Sequence, residues 1–373
     1  MDKRYKSAVR MVENDSELSP YNRKAILKFC YDLQTEGISS TRQVKYLRIL
    51  PPIAKMLGKD FNKARTADIR RVVNQINSSD FADWTKSDYR VTLKRFYRWL
   101  KGLPKGENPP QTSWIRIGGG GKQVLPEELV TSEEVLKLVE ACENSRDRAL
   151  VLNLYETGGR IGELLNLRRK HVQFDRYGAV LIFSGKTGDR RVRIIEGAPA
   201  LAQWVNDHPI KDPEAPLWIN VGDRNHTEPL VYDAVRMLLR RLAMKAEIKK
   251  AVNPHSFRHA RASYLANHLT ERQMEQYLGW TTGSRMSRIY VHLSGREVDD
   301  ALLKLHGMQK EEPKKIPILT PLICPRCDTK NLTNVKYCSK CGLPLQIEAL
   351  KGKIRCQCLC SATKSFEKRG IPL

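Results

Sequence analysis

The chain has 373 residues, with 65 Lys and Arg against 41 Asp and Glu and a formal net charge of +24. That length exceeds one ordinary compact core and predicts two domains plus an appendage. So large a charge excess predicts a polyanionic partner, and the lack of any apolar run of about 18 residues or charged-then-apolar leader predicts a cytoplasmic protein with no membrane partner.

In chain order, helical patterns cover 3–13, 21–36, 41–57, 67–77 and 85–101, with Ser or Thr at several starts and Gly37, Gly58 and Gly102 near ends. Residues 1–107 hold 23 basic and 12 acidic side chains, so the charge sits on a folded helical domain rather than on a tail. In the last helix Leu93, Phe96, Tyr97 and Leu100 form an apolar stripe, while Arg90, Lys94, Arg98 and Lys101 line another face. A basic stripe is often only a solvated face. In a chain this basic, phosphate contact is expected for part of it. Residues 108–125 read as a flexible linker around Gly118–Gly121. A phosphate-cradling loop fails there, because no strand precedes the glycines and no Gly-Lys-Ser/Thr closes them.

The second domain, 126–308, opens with a capping sequence, Thr131-Ser132-Glu133-Glu134, and a helix over 135–142. A helix at 146–157 leads to Arg160, and a shorter one covers 161–167. Strands at 179–184 and 191–195 are joined by Gly185-Lys186-Thr187-Gly188-Asp189, a hairpin. Helices follow at 198–207, 230–246, 256–268 and 271–278. The expected fold class is mainly α with one small antiparallel sheet.

Six residues of this domain are candidate catalysts. Arg160, at a Gly-Gly break, and Arg258 are two guanidiniums able to hold the oxygens of one phosphate, with Glu163 placed to orient Arg160. His255 and Arg258 project from one face of a helix that starts near Pro254. His255 is a plausible base for the hydroxyl of Tyr290, whose ordinary pKa near 10 leaves it protonated. Trp280 can donate one N–H to a phosphate oxygen. Singly, each has a plainer reading: Arg160 as a surface ion pair, Lys186 as a turn lysine, Trp280 as a core side chain. As an ordered set they supply what breaking a DNA strand without a metal requires. His259 and Arg261 read as helix-face residues that contact DNA or solvent.

Seven of the nine cysteines follow residue 323, which points to metal rather than disulfides. Cys324-Pro-Arg-Cys327 and Cys338-Ser-Lys-Cys341 are two CxxC knuckles, with Gly342 after the second. Four thiolates at this spacing fit a closed, structural zinc site over 309–345 whose metal supplies the folding free energy. Cys356, Cys358 and Cys360 lack a convincing fourth ligand, which favours a poorly ordered tail over 346–373. Cys30 and Cys142 lie on helices and read as core.

The ordered set Arg160, Lys186, His255, Arg258, Trp280 and Tyr290 resembles that of the tyrosine recombinases, the phage-type integrases and Xer-like enzymes; with its zinc ribbon the chain resembles archaeal members. Trp280 stands where most members carry a second histidine, and Tyr290 follows it at an interval one residue longer than usual. The resemblance covers 1–308. It implies a helical core-binding domain and a catalytic domain around double-stranded DNA, a Lys186 that protonates the departing 5′ oxygen, a 3′-phosphotyrosyl intermediate formed by Tyr290, and no cofactor for catalysis. It also implies a homo-oligomer, a tetramer on paired sites, acting in integration, excision or dimer resolution. Two rivals remain. A non-catalytic DNA-binding protein on this fold is disfavoured because the catalytic set is intact. A type IB topoisomerase would carry an extended linker before the nucleophile, which this chain lacks.

Overall fold

In the computed structural model, which describes residues 3–117, 128–185, 188–222, 226–284, 286, 287, 290, 305–308 and 317–346, the chain divides into two units, Met1–Gln123 and Val124–Leu373. The first contains α1 (Lys3–Glu13), α2 (Pro20–Thr35), α3 (Ser40–Leu57), α4 (Thr66–Ser78) and α5 (Asp83–Leu100). Local chemistry fixes their ends. The Ser19 side chain caps α2 ahead of Pro20, and Gly58 ends α3 at φ +69°. The apolar stripe of α5 turns Leu93, Phe96 and Tyr97 into an aromatic core, where Phe96 meets Phe61 at 4.6 Å and Phe29 at 5.3 Å between ring centroids.

The expected linker begins inside this unit. Ile115 is buried in its core and Thr112 is also buried. Gly118–Gly121 lie outside the described residues.

The second unit is built around α7 (Ser145–Thr157), which is apolar through Ala149–Leu152 and is packed by α6 (Ser132–Glu140), α9 (Ala198–Asp207) and α11 (Pro254–Ala266). A helix apolar on every side must be covered on every side. The sheet has three antiparallel strands in the order β1 (Val172–Asp175), β2 (Gly178–Gly185), β3 (Gly188–Ile194). Leu181 pairs with Val192, and the hairpin closes at Gly185 opposite Gly188. Only β2 and β3 were expected; β1 is a four-residue edge strand whose apolar-polar alternation is too short to stand out and whose Gln173, Phe174 and Asp175 are exposed. The unit continues with α8 (Ile161–Leu165), α10 (Tyr232–Lys245) and α12 (Glu271–Leu278).

The cysteine knuckles carry β4 (Leu322–Ile323) and β5 (Lys330–Asn331) and pack on this same unit. Leu319 is 4 % exposed within its main core, and Leu332 lies against that core. The Lys330 ammonium donates to the Arg176 carbonyl at 2.6 Å. Residues 346–373 were expected as a tail; Cys356, Cys358 and Cys360 lie outside the described residues.

Candidate active site

Gly158 ends α7 at φ +52° and turns the chain so that Arg160 opens α8. Gly279 does the same for α12 at φ +65°, one residue before Trp280. These two turns aim backbone carbonyls at the candidate arginines. Arg258, on the buried face of α11, donates to the Gly158 carbonyl at 2.8 Å and to the Leu278 carbonyl at 2.9 Å. Arg160 donates to the Gly279 carbonyl at 3.0 Å and to Glu163 at 2.9 Å. Its side chain is 45 % exposed, so the pair has one open arm and one enclosed arm. Burial, then the nearby Arg160 charge, lower Arg258 to about 10, which leaves it cationic at neutral pH.

Arg190 on β3, absent from the candidates, completes this network. It donates to Glu163 at 2.7 Å and to the Tyr277 carbonyl at 3.2 Å. Glu163 is 7 % exposed and bridges the two arginines. Burial alone would raise its pKa, but hydrogen bonding and charge from Arg190, then Arg160, hold it below the ordinary carboxylate range. A β-carbon at Gly185 would lie 2.6 Å from Glu163 Oε1, so the hairpin end meets the arginine network directly. Lys186, the next residue, lies outside the described residues.

Tyr290 is 5 % exposed, and its ring stacks on Trp280 at 5.7 Å with 7° between planes. Trp280 also receives Arg258 over its face at 5.5 Å. Burial pushes the Tyr290 phenol up to about 12, while the Arg258 charge opposes that rise. The hydroxyl hydrogen-bonds Nδ1 of His259. His255, expected beside that hydroxyl, sits one turn earlier on α11, exposed, with its ring 4.4 Å from His259 and nearly perpendicular to it. The expectation for His259 therefore changes: the α11 face that carries Arg258 also carries His259 toward the site. Arg261 changes too. It is buried, packed against Gly158 and over the Tyr155 and Tyr264 rings.

In the first unit, two members of the basic stripe hold the chain that follows α5. Lys94 donates to the Ile115 carbonyl at 2.9 Å, and Arg98 to the Glu107 carbonyl at 2.8 Å and the Asn108 side chain at 3.0 Å. Arg90 is half-buried and Lys101 exposed.

The sulfurs of Cys324, Cys327, Cys338 and Cys341 all lie within 4.8 Å of one another. Cys324–Cys341 and Cys327–Cys338 are 3.5 and 3.6 Å apart. Four sulfurs at about 2.3 Å from a tetrahedral ion would be separated by roughly 3.8 Å, so the set fits such an ion. Each knuckle turns through a left-handed residue after its second cysteine, Asp328 at φ +54° and Gly342 at φ +71°. Asn331 donates to the Cys338 sulfur at 3.6 Å.

Residues 128–297 match the Phage integrase family. A tyrosine recombinase of Pseudothermotoga lettingae is 30% identical over 217 residues, 57% of this chain and 72% of the relative. Tyrosine recombinase XerD of Ralstonia nicotianae is 25% identical over 300 residues, 74% of this chain and 92% of the relative. In fold, the chain is similar to the Tn1549 transposon integrase in complex with circular intermediate DNA, with a TM-score of 0.60 at 14% identity, over 76% of this chain and 99% of that one. The chain belongs to the tyrosine recombinase family. It is an enzyme of the site-specific recombinase and integrase class.

Proposed function

We propose that this recombinase cleaves and rejoins double-stranded DNA through Tyr290, with Arg160 and Arg258 holding the scissile phosphate. The observation that carries the reading is the convergence of Arg258, Trp280 and Tyr290: the guanidinium lies 5.5 Å from the centre of the Trp280 ring, and the Tyr290 ring stacks on that same indole at 5.7 Å. Carbonyl partners fix each guanidinium before substrate arrives, so positive charge is preorganised for the pentavalent phosphorane. Trp280 supplies an N–H donor, and Lys186, adjoining Gly185, supplies the proton for the departing 5′ oxygen. The 3′-phosphotyrosyl link conserves the phosphodiester energy, so rejoining needs no nucleotide.

DNA is the partner, approached in the first unit through Arg90 and Lys101 of the basic stripe, while Lys94 and Arg98 set the chain beside them. Recombination on paired sites calls for a homo-oligomer, a tetramer. Zinc in the four-cysteine site is structural, because its ligands fill every tetrahedral position. Integration or excision of a mobile element, or dimer resolution, in the cytoplasm is the biological task that suits this chemistry.

The test is covalent capture on a nicked duplex carrying a site that the protein itself selects from random duplexes. In EDTA the chain should become attached to a DNA 3′ end. Tyr290→Phe should abolish the adduct and keep binding within about threefold, as expected when only the nucleophile is removed. An adduct formed by that variant would move the nucleophile to another tyrosine.

A further inference from the structure

We propose that His259, rather than His255, takes the proton of Tyr290, and that His255 is the exposed end of a two-histidine relay; this rests on Tyr290 as nucleophile. The geometry is specific. Among the described residues, the hydrogen-bond partner of the Tyr290 hydroxyl is Nδ1 of His259. The two histidines are four apart on α11 and so share a face, with ring centroids 4.4 Å apart. His259 is half-buried, whereas His255 is exposed at the helix start with its backbone N–H capped by Asn253.

The groups around His259 keep it able to accept. From its own helix it faces His255 and Arg258; from the nucleophile segment it faces Tyr290, with Trp280 stacked beyond. Arg160, Glu163 and Arg190 lie further out, around Arg258. Burial first, then His255 and Arg258, hold the imidazole of His259 below its ordinary 6.5. It is therefore neutral at physiological pH, and the proposed base is the tautomer with its proton on Nε2, which leaves the Nδ1 lone pair for the hydroxyl. As the phenol oxygen forms its bond to phosphorus, the O–H bond breaks and the proton passes to Nδ1. The bond from phosphorus to the 5′ oxygen breaks with its electron pair on that oxygen, which is protonated separately. His259 then releases a proton from Nε2 toward His255 and solvent.

The experiment is single-turnover adduct formation on the self-selected nicked duplex between about pH 5 and 9, the range in which histidine changes charge. Wild-type rate should rise with pH along a limb centred below 6.5. His259→Asn still offers an oxygen to the hydroxyl but takes up no proton. It should lose about 10²- to 10⁴-fold in rate together with that limb, whereas His255→Asn should keep the limb. A His259→Asn enzyme that retains the limb and cleaves within about threefold of wild type overturns the assignment, since a general base is worth far more. Should His259→Asn misfold, His259→Ala with added imidazole decides. Restored cleavage that follows imidazole's own titration supports the relay; no restoration in a variant that binds its site as wild type does overturns it. Wild type that forms no adduct at any pH would instead defeat the proposed function.

Discussion

Glu163 governs the site one residue at a time. Its two oxygens hold Arg160 and Arg190, so the carboxylate positions the exposed arm of the proposed phosphate clamp. Glu163→Gln leaves an N–H₂ group facing a guanidinium, and adduct formation should fall at least about tenfold with binding nearly unchanged, the mark of an interaction spent on the transition state. The same substitution tests the carboxylate's titration. A carboxyl held below its unfolded value contributes stability above pH 4.5 that is lost as pH falls through the folded value. The difference in Tm between wild type and Glu163→Gln should therefore shrink below that pH; a constant difference would place the effect in packing. Arg258→Lys should cleave far worse than it binds, because one ammonium cannot span the Gly158 and Leu278 carbonyls and a phosphate together.

At the scale of the element, helix ends do what the helices themselves do not. Gly279 closes α12 at φ +65°, presents its carbonyl to Arg160, and leaves room for Arg190, whose Nη1 would lie 2.5 Å from an added β-carbon. Gly58 closes α3 at φ +69° with nothing within 4 Å of that position. The two glycines form a matched pair. Gly58→Ala should cost only the left-handed penalty of about 1–2 kcal/mol. Gly279→Ala should cost more in thermal denaturation and should also lower cleavage. Equal losses of stability, with cleavage intact, would mean that Arg190 yields without consequence.

Across the whole molecule, the cysteine knuckles are part of the second unit's packing. The sequence reads them as an appendage, yet Leu319 is buried in the main core and Lys330 reaches the β1–β2 turn at Arg176. Ending the chain at Met308 removes a core leucine, a loss that ordinarily costs about 2–5 kcal/mol. We therefore expect one zinc per chain by metal analysis. Its removal by a strong chelator, or by Cys324→Ser, should lower the Tm of the second unit while adduct formation below that Tm persists. An unchanged Tm would detach the knuckles from the catalytic fold, and an adduct lost on chelation of the folded protein would give the metal a part in chemistry.

The sequence by itself determined the helices, because apolar period and end chemistry are local: α1 to α5, α9 and α12 begin and end within two residues of where the pattern placed them. It also determined the cysteine cluster, since CxxC spacing holds two ligands within one turn. Arg160, Arg258, Trp280 and Tyr290 were legible as an ordered set, and Glu163 as a neighbour of Arg160 one turn away. What tertiary structure decided lies across long separations. Arg190 looks like any strand arginine until β3 runs beside Glu163 and Tyr277. Lys94 and Arg98 look like solvated charge until residues 107–115 fold back on α5. His255 and His259 stand on one helix face with equal chemistry. The structure places the Tyr290 hydroxyl on His259, and no local pattern records this, because a hydrogen bond depends on where two distant backbones bring their side chains.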